Sequence, residues 1–198
     1  MRRETSHPRT SPVSTRVRLA KPLADGVVTL RLPAADDVAF LRRWASPELL
    51  EGVWISGVGP TPIPDADAWA AAIVTDLIAG WSEDGSIHAS TLVIDEVEPF
   101  VGLVYLTERP NDSIELSYGV APPFRRRGIA TRAARVVSDW LFGTGAYRRV
   151  ELRIAESHPE RMVVAERAGF RLLERVETYV EGTGQAFVDV VFVRDVTR

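Results

Sequence analysis

The stretch Phe124-Arg125-Arg126-Arg127-Gly128-Ile129-Ala130-Thr131 sets three arginines beside a glycine and an alanine two residues apart, and closes on a hydroxyl. It follows a strand-like run, Ser113 to Val120, and a turn, Ala121-Pro122-Pro123, and it opens an amphipathic helix that continues to Phe142. The first N–H groups of a helix have no partner inside it, the helix dipole favours negative charge there, and small side chains let an anion approach the backbone. The chemistry open to this stretch is therefore to hold phosphate, and its layout points to a pyrophosphate cradle. The alternative use of the arginines is a solvated, salt-bridged helix start.

Other elements must deliver that loop. Val17 and Leu19 alternate with Arg16 and Arg18, and Val27 to Leu32 follows an Asp25-Gly26 turn, which predicts a hairpin. Ala34 to Trp44 reads as a helix with Val38, Leu41 and Ala45 on one face, and with Asp36 and Asp37 at the end where acids are favoured. Ser46 to Asp65, rich in Gly and Pro and carrying Trp54, is a candidate wall for a substrate pocket. A helix capped by Asp65 or Asp67 reaches Gly80. Ile87 to Ile94 and Phe100 to Thr107 predict a hairpin with an acidic tip.

In the helix after the arginine loop, Ala130, Ala133, Ala134, Val137 and Leu141 share a side opposite Arg132, Arg135 and Asp139, so one face packs on a sheet. Val150, Leu152 and Ile154 mark the next strand. Ser157-His158-Pro159-Glu160 has the form of a capping box, and Gly169 ends the short helix as a left-handed cap would. Arg171 to Tyr179 and Phe187 to Arg194 close the chain around the Glu181-Gly182-Thr183-Gly184 turn. Strands before and after each C-terminal helix predict an α/β fold with a mixed sheet. Residues 1–15, polar and with Pro8 and Pro12, read as a disordered leader to one domain over residues 16–198.

Composition narrows the function. The chain has 198 residues, 45% of them hydrophobic and 26% charged, enough for one well-buried core. Cysteine is absent, which removes disulfides, thiolate metal sites and cysteine nucleophiles. A net charge of −3 argues against general nucleic-acid binding. No apolar run reaches bilayer-spanning length, so the expectation is a cytoplasmic protein. His88 has no companions with which to ligate a metal.

Arg125 to Ala130 resembles the Gln/Arg-x-x-Gly-x-Gly/Ala signature of the GNAT family of N-acetyltransferases, and Val164-Ala165-Glu166-Arg167-Ala168-Gly169-Phe170 resembles a second block of that family. Glu115-Leu116-Ser117-Tyr118-Gly119-Val120 looks most like its branch acting on ribosomal-protein N-termini, the RimJ/RimL-like branch. The resemblance implies a single GNAT-like domain whose central sheet is mostly antiparallel, has about seven strands, is splayed in the middle, and carries about four flanking helices. It implies acetyl-CoA as co-substrate and no metal. The pyrophosphate would lie on the N–H groups of Arg125, Arg126, Arg127, Gly128, Ile129 and Ala130, with Thr131 adding a hydroxyl. The pantetheine arm would pair with Tyr118 to Val120 as an added strand, and an N–H near Val120 would face the thioester oxygen.

Transfer of an acetyl group to an amine requires a neutral amine, hence a base. Glu115 stands where some relatives carry such a glutamate, and Ser117, two residues on, faces the same side. The competing use of Glu115 is a salt bridge to an arginine on a neighbouring strand. Many relatives hold coenzyme A with an Asn and protonate the leaving sulfur with a Tyr or Ser on the short helix. Here His158 takes the Asn position, while Arg161 and Ala165 take the hydroxyl positions. Ser157 and His158 are the available substitutes, and a thiol whose pKa is about 8.5 can also leave as thiolate.

The leading reading is an acetyltransferase whose partner is a primary amine, on a protein N-terminus or a small molecule, with a homodimer allowed. A coenzyme-A-binding or regulatory module without catalysis is the alternative. A basic-loop protein that binds a phosphorylated or nucleic-acid partner is the third, disfavoured by the acidic balance.

Overall fold

The structure is a computed structural model that describes residue 17 and residues 19–44, 66–79, 89–179 and 186–197. The leader, the loop Ser46 to Asp65 with Trp54, His88 and the turn after Tyr179 lie outside the described residues.

Eight strands form one sheet: β1 (Leu23–Ala24), β2 (Thr29–Arg31), β3 (Ala89–Asp95), β4 (Gly102–Arg109), β5 (Ser113–Val120), β6 (Arg149–Ala155), β7 (Arg171–Tyr179) and β8 (Ala186–Asp195). Their spatial order is β1-β2-β3-β4-β5-β6-β8-β7. The helices are α1 (Asp37–Trp44), α2 (Ala66–Ala79), α3 (Ile129–Gly143) and α4 (Pro159–Arg167), with a 3₁₀ turn at Pro122–Phe124. Among the described residues the sheet has eight strands, against an expectation of about seven. The first of them, β1, pairs Leu23 with Leu30 and Ala24 with Thr29. In the predicted hairpin partner, the described residues Val17 and Leu19 are not in a strand, although both apolar side chains are buried. Asp25 explains the tight register, because its Oδ1 accepts from the N–H groups of Val27 and Val28 and closes the turn directly after Ala24.

All pairings are antiparallel except β5 with β6, whose parallel connection runs through α3. Alternation along the strands divides the core. Val104, Leu106, Ile114 and Leu116 join Ala133, Ala134, Val137 and Leu141 of α3 on one face. Leu103, Val93 and Tyr105 join Leu41 of α1 and Ile73, Val74 and Leu77 of α2 on the other. One network, built around the buried Asp37 and the half-buried Arg31 and Asp95, ties α1 to the sheet. Arg31 donates from Nη1 and Nη2 to Asp37 at 2.9 and 2.7 Å and from Nε to Asp95 at 2.6 Å, and Asp37 also accepts from the Ala34 N–H at 2.8 Å.

The ends of α4 contrast with each other. At its C-terminus Gly169 has φ 91°, the Gly169 N–H donates to Glu166 at 3.0 Å and the Phe170 N–H to Ala165 at 3.0 Å, which is the double bond set of a Schellman cap. At its N-terminus the predicted capping box is absent. Pro159 takes the first helical position and biases the residue before it away from helix, so His158 is the N-cap and makes no side-chain capping bond. Ser157 then lies one residue too early to cap.

Candidate functional site

The site begins where two neighbouring strands part. β5 and β6 pair only over Ser113–Glu115 against Arg149–Glu151. β5 then stays with β4 as far as Val120 opposite Gly102, and β6 stays with β8 as far as Ala155 opposite Asp189. The Ala121 N–H donates to the Val101 carbonyl, so the backbone groups of alternate residues Leu116, Tyr118 and Val120 point the other way, into the gap. A strand with one unpaired edge inside a sheet can accept an extended chain as an extra strand.

That edge runs straight into the arginine loop. Arg126 at φ 65° and Gly128 at φ 79° are both left-handed, and such a curl turns successive N–H groups inward. Among the described residues, no hydrogen-bond acceptor takes the N–H groups of residues 126–131; the first helical bond is from the Arg132 N–H to Gly128 at 3.0 Å. No heavy atom lies within 4 Å of the place a Cβ on Gly128 would occupy, so the glycine faces open space. Left-handed backbone at an arginine costs about 1–2 kcal/mol, a strain that folded chains retain mostly where it serves a site.

The arginines divide their tasks. Arg125 donates from Nε to the Val120 carbonyl at 2.9 Å, so two predicted cofactor-binding residues meet at the end of the free edge. Arg127 stacks 5.1 Å from the Phe124 ring centroid and reaches Glu96 at 3.5 Å. Arg126 forms no ion pair among the described residues. The Ile129 side chain is buried in the core, which leaves only its backbone for ligands, and Ala130 and Thr131 are half-buried. The backbone donors, the arginines and the free edge suit a diphosphate with an amide-bearing arm, the chemistry of coenzyme A.

Glu115 and Ser117 lie on the opposite face of the sheet from α3, with Ser117 exposed. Glu115 Oε2 accepts from Arg109 Nε at 2.9 Å and from Arg109 Nη2, and Arg153 of β6 approaches to 3.6 Å. The expected salt bridge to a neighbouring strand is thus present, while Oε1 has no partner among the described residues. His158 turns its Nδ1 to Glu160 at 3.3 Å, an exposed contact at the start of α4. Tyr118 bridges the gap, donating its hydroxyl to the Arg161 carbonyl of α4 at 3.4 Å.

Tyr105, in β4, belongs to no motif in the sequence. It sits opposite Ser117, its hydroxyl is buried without a partner among the described residues, and burial pushes its pKa up. The available signal was period two, since Leu103 and Tyr105 share the Glu115 and Ser117 face. A buried hydroxyl without a bond costs about 1–3 kcal/mol. Tyr105→Phe is therefore expected to leave the urea midpoint unchanged or to raise it; a clear drop would mean that the hydroxyl has a partner in the folded protein.

Among the described residues no group of three or more His, Asp or Glu could hold a metal, and no helix is long and apolar enough to cross a membrane. Residues 28–171 match the family model described as an acetyltransferase (GNAT) domain. No curated protein sequence matches. Among solved structures, the chain is similar to RimJ of Mycobacterium smegmatis in complex with CoA-disulfide, at 24% identity over 88% of this chain and 86% of that one, with a TM-score of 0.71. It is similar to an acetyl transferase from Salmonella typhimurium that modifies the N-terminal serine of a 50S ribosomal subunit protein, at 15% identity over 89% and 100%, TM-score 0.71. It also resembles the microcin self-immunity acetyltransferase MccE in complex with acetyl-CoA and AMP, at 15% identity over 87% and 94%, TM-score 0.71. At these identities the likeness establishes the fold.

Proposed function

The chain belongs to the GNAT acetyltransferases, and on that premise we propose that it transfers the acetyl group of acetyl-CoA to a primary amine, with a protein N-terminus as the first acceptor to try and a small-molecule amine as the second. The observation that carries this reading is the continuity of the free β5 edge with the unpaired N–H groups of residues 126–131. Acetyl-CoA supplies an activated acyl group and a thiolate leaving group. The loop N–H groups hold its diphosphate, and the edge at Tyr118 and Val120 aligns its arm. An N–H at that edge stabilises negative charge developing on the thioester oxygen.

On the other face, Glu115 takes the proton of the attacking amine. Arg109 and Arg153 hold Oε2 and leave Oε1 as the accepting atom. Relatives named for ribosomal-protein N-termini support a peptide amine as acceptor. The test is acetyl-CoA-dependent thiol release with a panel of N-terminal peptides and small amines. Failure to bind coenzyme A at all would remove the proposal. Glu115→Gln is expected to lower turnover at neutral pH by about 100-fold with acetyl-CoA binding retained; full turnover in that variant would take the base role from Glu115.

The second reading, a coenzyme-A-binding module without catalysis, is favoured by one observation: the two α4 positions where relatives carry hydroxyls are Arg161 and Ala165. Binding without turnover across the panel would select it.

A further inference from the structure

We propose that the Tyr118 hydroxyl, reaching across the gap from β5, donates a hydrogen bond to the departing coenzyme A sulfur and so replaces the hydroxyl that α4 lacks. This inference rests on the proposed function. Tyr118 has two parts directed at the same opening. Its backbone lies on the unpaired edge where the arm would align, and its side chain, on the α3 side of the sheet with Leu116, crosses to the first turn of α4. The hydroxyl thereby arrives beside Arg161, on the helix where relatives place their own.

The present contact of that hydroxyl, 3.4 Å to the Arg161 carbonyl, is longer than an ordinary O–H···O bond, so exchanging it for a sulfur partner costs little. Burial raises the hydroxyl to about 12, with the Arg161 charge acting against that shift and the Glu160 charge with it. A phenol held this high keeps its proton at working pH. It is a donor that steadies thiolate, since full transfer to a sulfur of pKa about 8.5 would run uphill.

The amine nitrogen forms a bond to the acetyl carbon and its proton leaves to the base, the carbon–sulfur bond breaks with both electrons going to sulfur, and the thiolate rests against the Tyr118 O–H until solvent protonates it. Phe at this position keeps the ring that packs against the core and removes only the donor.

The experiment compares wild type with Tyr118→Phe. Ultraviolet absorbance of the thiolate of bound coenzyme A is followed against pH, and desulfo-coenzyme A is titrated as the sulfur-free control. The expected result is a bound thiol whose pKa is higher by about one unit in the variant, the tenfold loss of thiolate stabilisation that one hydrogen bond represents. Desulfo-coenzyme A affinity stays unchanged and kcat falls without a matching rise in the KM for acetyl-CoA. An unchanged thiol pKa in a variant that still binds coenzyme A would overturn the inference and leave the proposed function standing. Equal losses of affinity for coenzyme A and its desulfo analogue would overturn it too, as the mark of a structural role. A wild type that binds neither would overturn both.

Discussion

Gly128→Glu is expected to weaken coenzyme A binding by at least about 100-fold, near 2.7 kcal/mol. The substitution puts a carboxylate at the N-cap of α3, beside N–H groups that among the described residues have no acceptor. Anion repulsion and loss of the donors' ligand act together there. Gly128→Ala separates the charge from the backbone. The Cβ enters open space, and the cost is the left-handed φ of 79°, about 1–2 kcal/mol of folding stability for an L-residue. The alanine variant should thus melt earlier and bind coenzyme A within tenfold of wild type, while the glutamate variant melts similarly and fails to bind. Calorimetric titration of both decides the matter, and undiminished affinity in the glutamate variant would place the diphosphate elsewhere.

The second large effect concerns the fold. Asp37→Ala is expected to cost about 3–5 kcal/mol of unfolding free energy, the range for removing one partner of a buried ion pair. Asp37 is 1% exposed and takes three donors, two from Arg31 and one from the Ala34 backbone. Without it the guanidinium keeps Asp95 and the Leu32 carbonyl, and the joint among β2, β3 and α1 opens. Urea denaturation measures the loss. The double variant Arg31→Met/Asp37→Leu removes both charges of that pair and should recover part of the stability, because the one carboxylate left without its guanidinium, Asp95, is only half-buried and keeps the Phe100 N–H. A single-variant loss under about 1 kcal/mol would show the network to be dispensable.

Several local features could be read directly. β5 spans Ser113–Val120 as its alternation predicts, and α3 buries Ala133, Ala134, Val137 and Leu141. Gly169 is left-handed where the helix cap was expected to need it. Each of these depends on residues within a few positions of one another. The misreadings came from competition between two local rules or from distant partners. Ser157 looked like a cap until Pro159 set the helix start. Val17 and Leu19 have the alternation of a strand, yet the Asp25 turn pairs Leu23 and Ala24 with β2 instead. Asp37 looked like a dipole-favoured acid, and its guanidinium partner six residues earlier in β2 gave no sign in the pattern.

What the sequence by itself determined is the local course of the chain around Phe124 to Thr131: a strand, a turn, a loop of small residues and a helix start, all set by local preference and by periodicities of two and 3.6 residues. The free edge of the strand before the loop was implied only by the family resemblance, and it is the tertiary structure that accounts for it. That edge exists because β6 leaves β5 after Glu115 opposite Glu151 and goes on with β8, a strand about forty residues further along the chain. Pairing between segments so far apart is chosen by the whole sheet's register and packing, and no window of neighbouring residues contains it. The same parting opens the gap that Tyr118 crosses to reach α4.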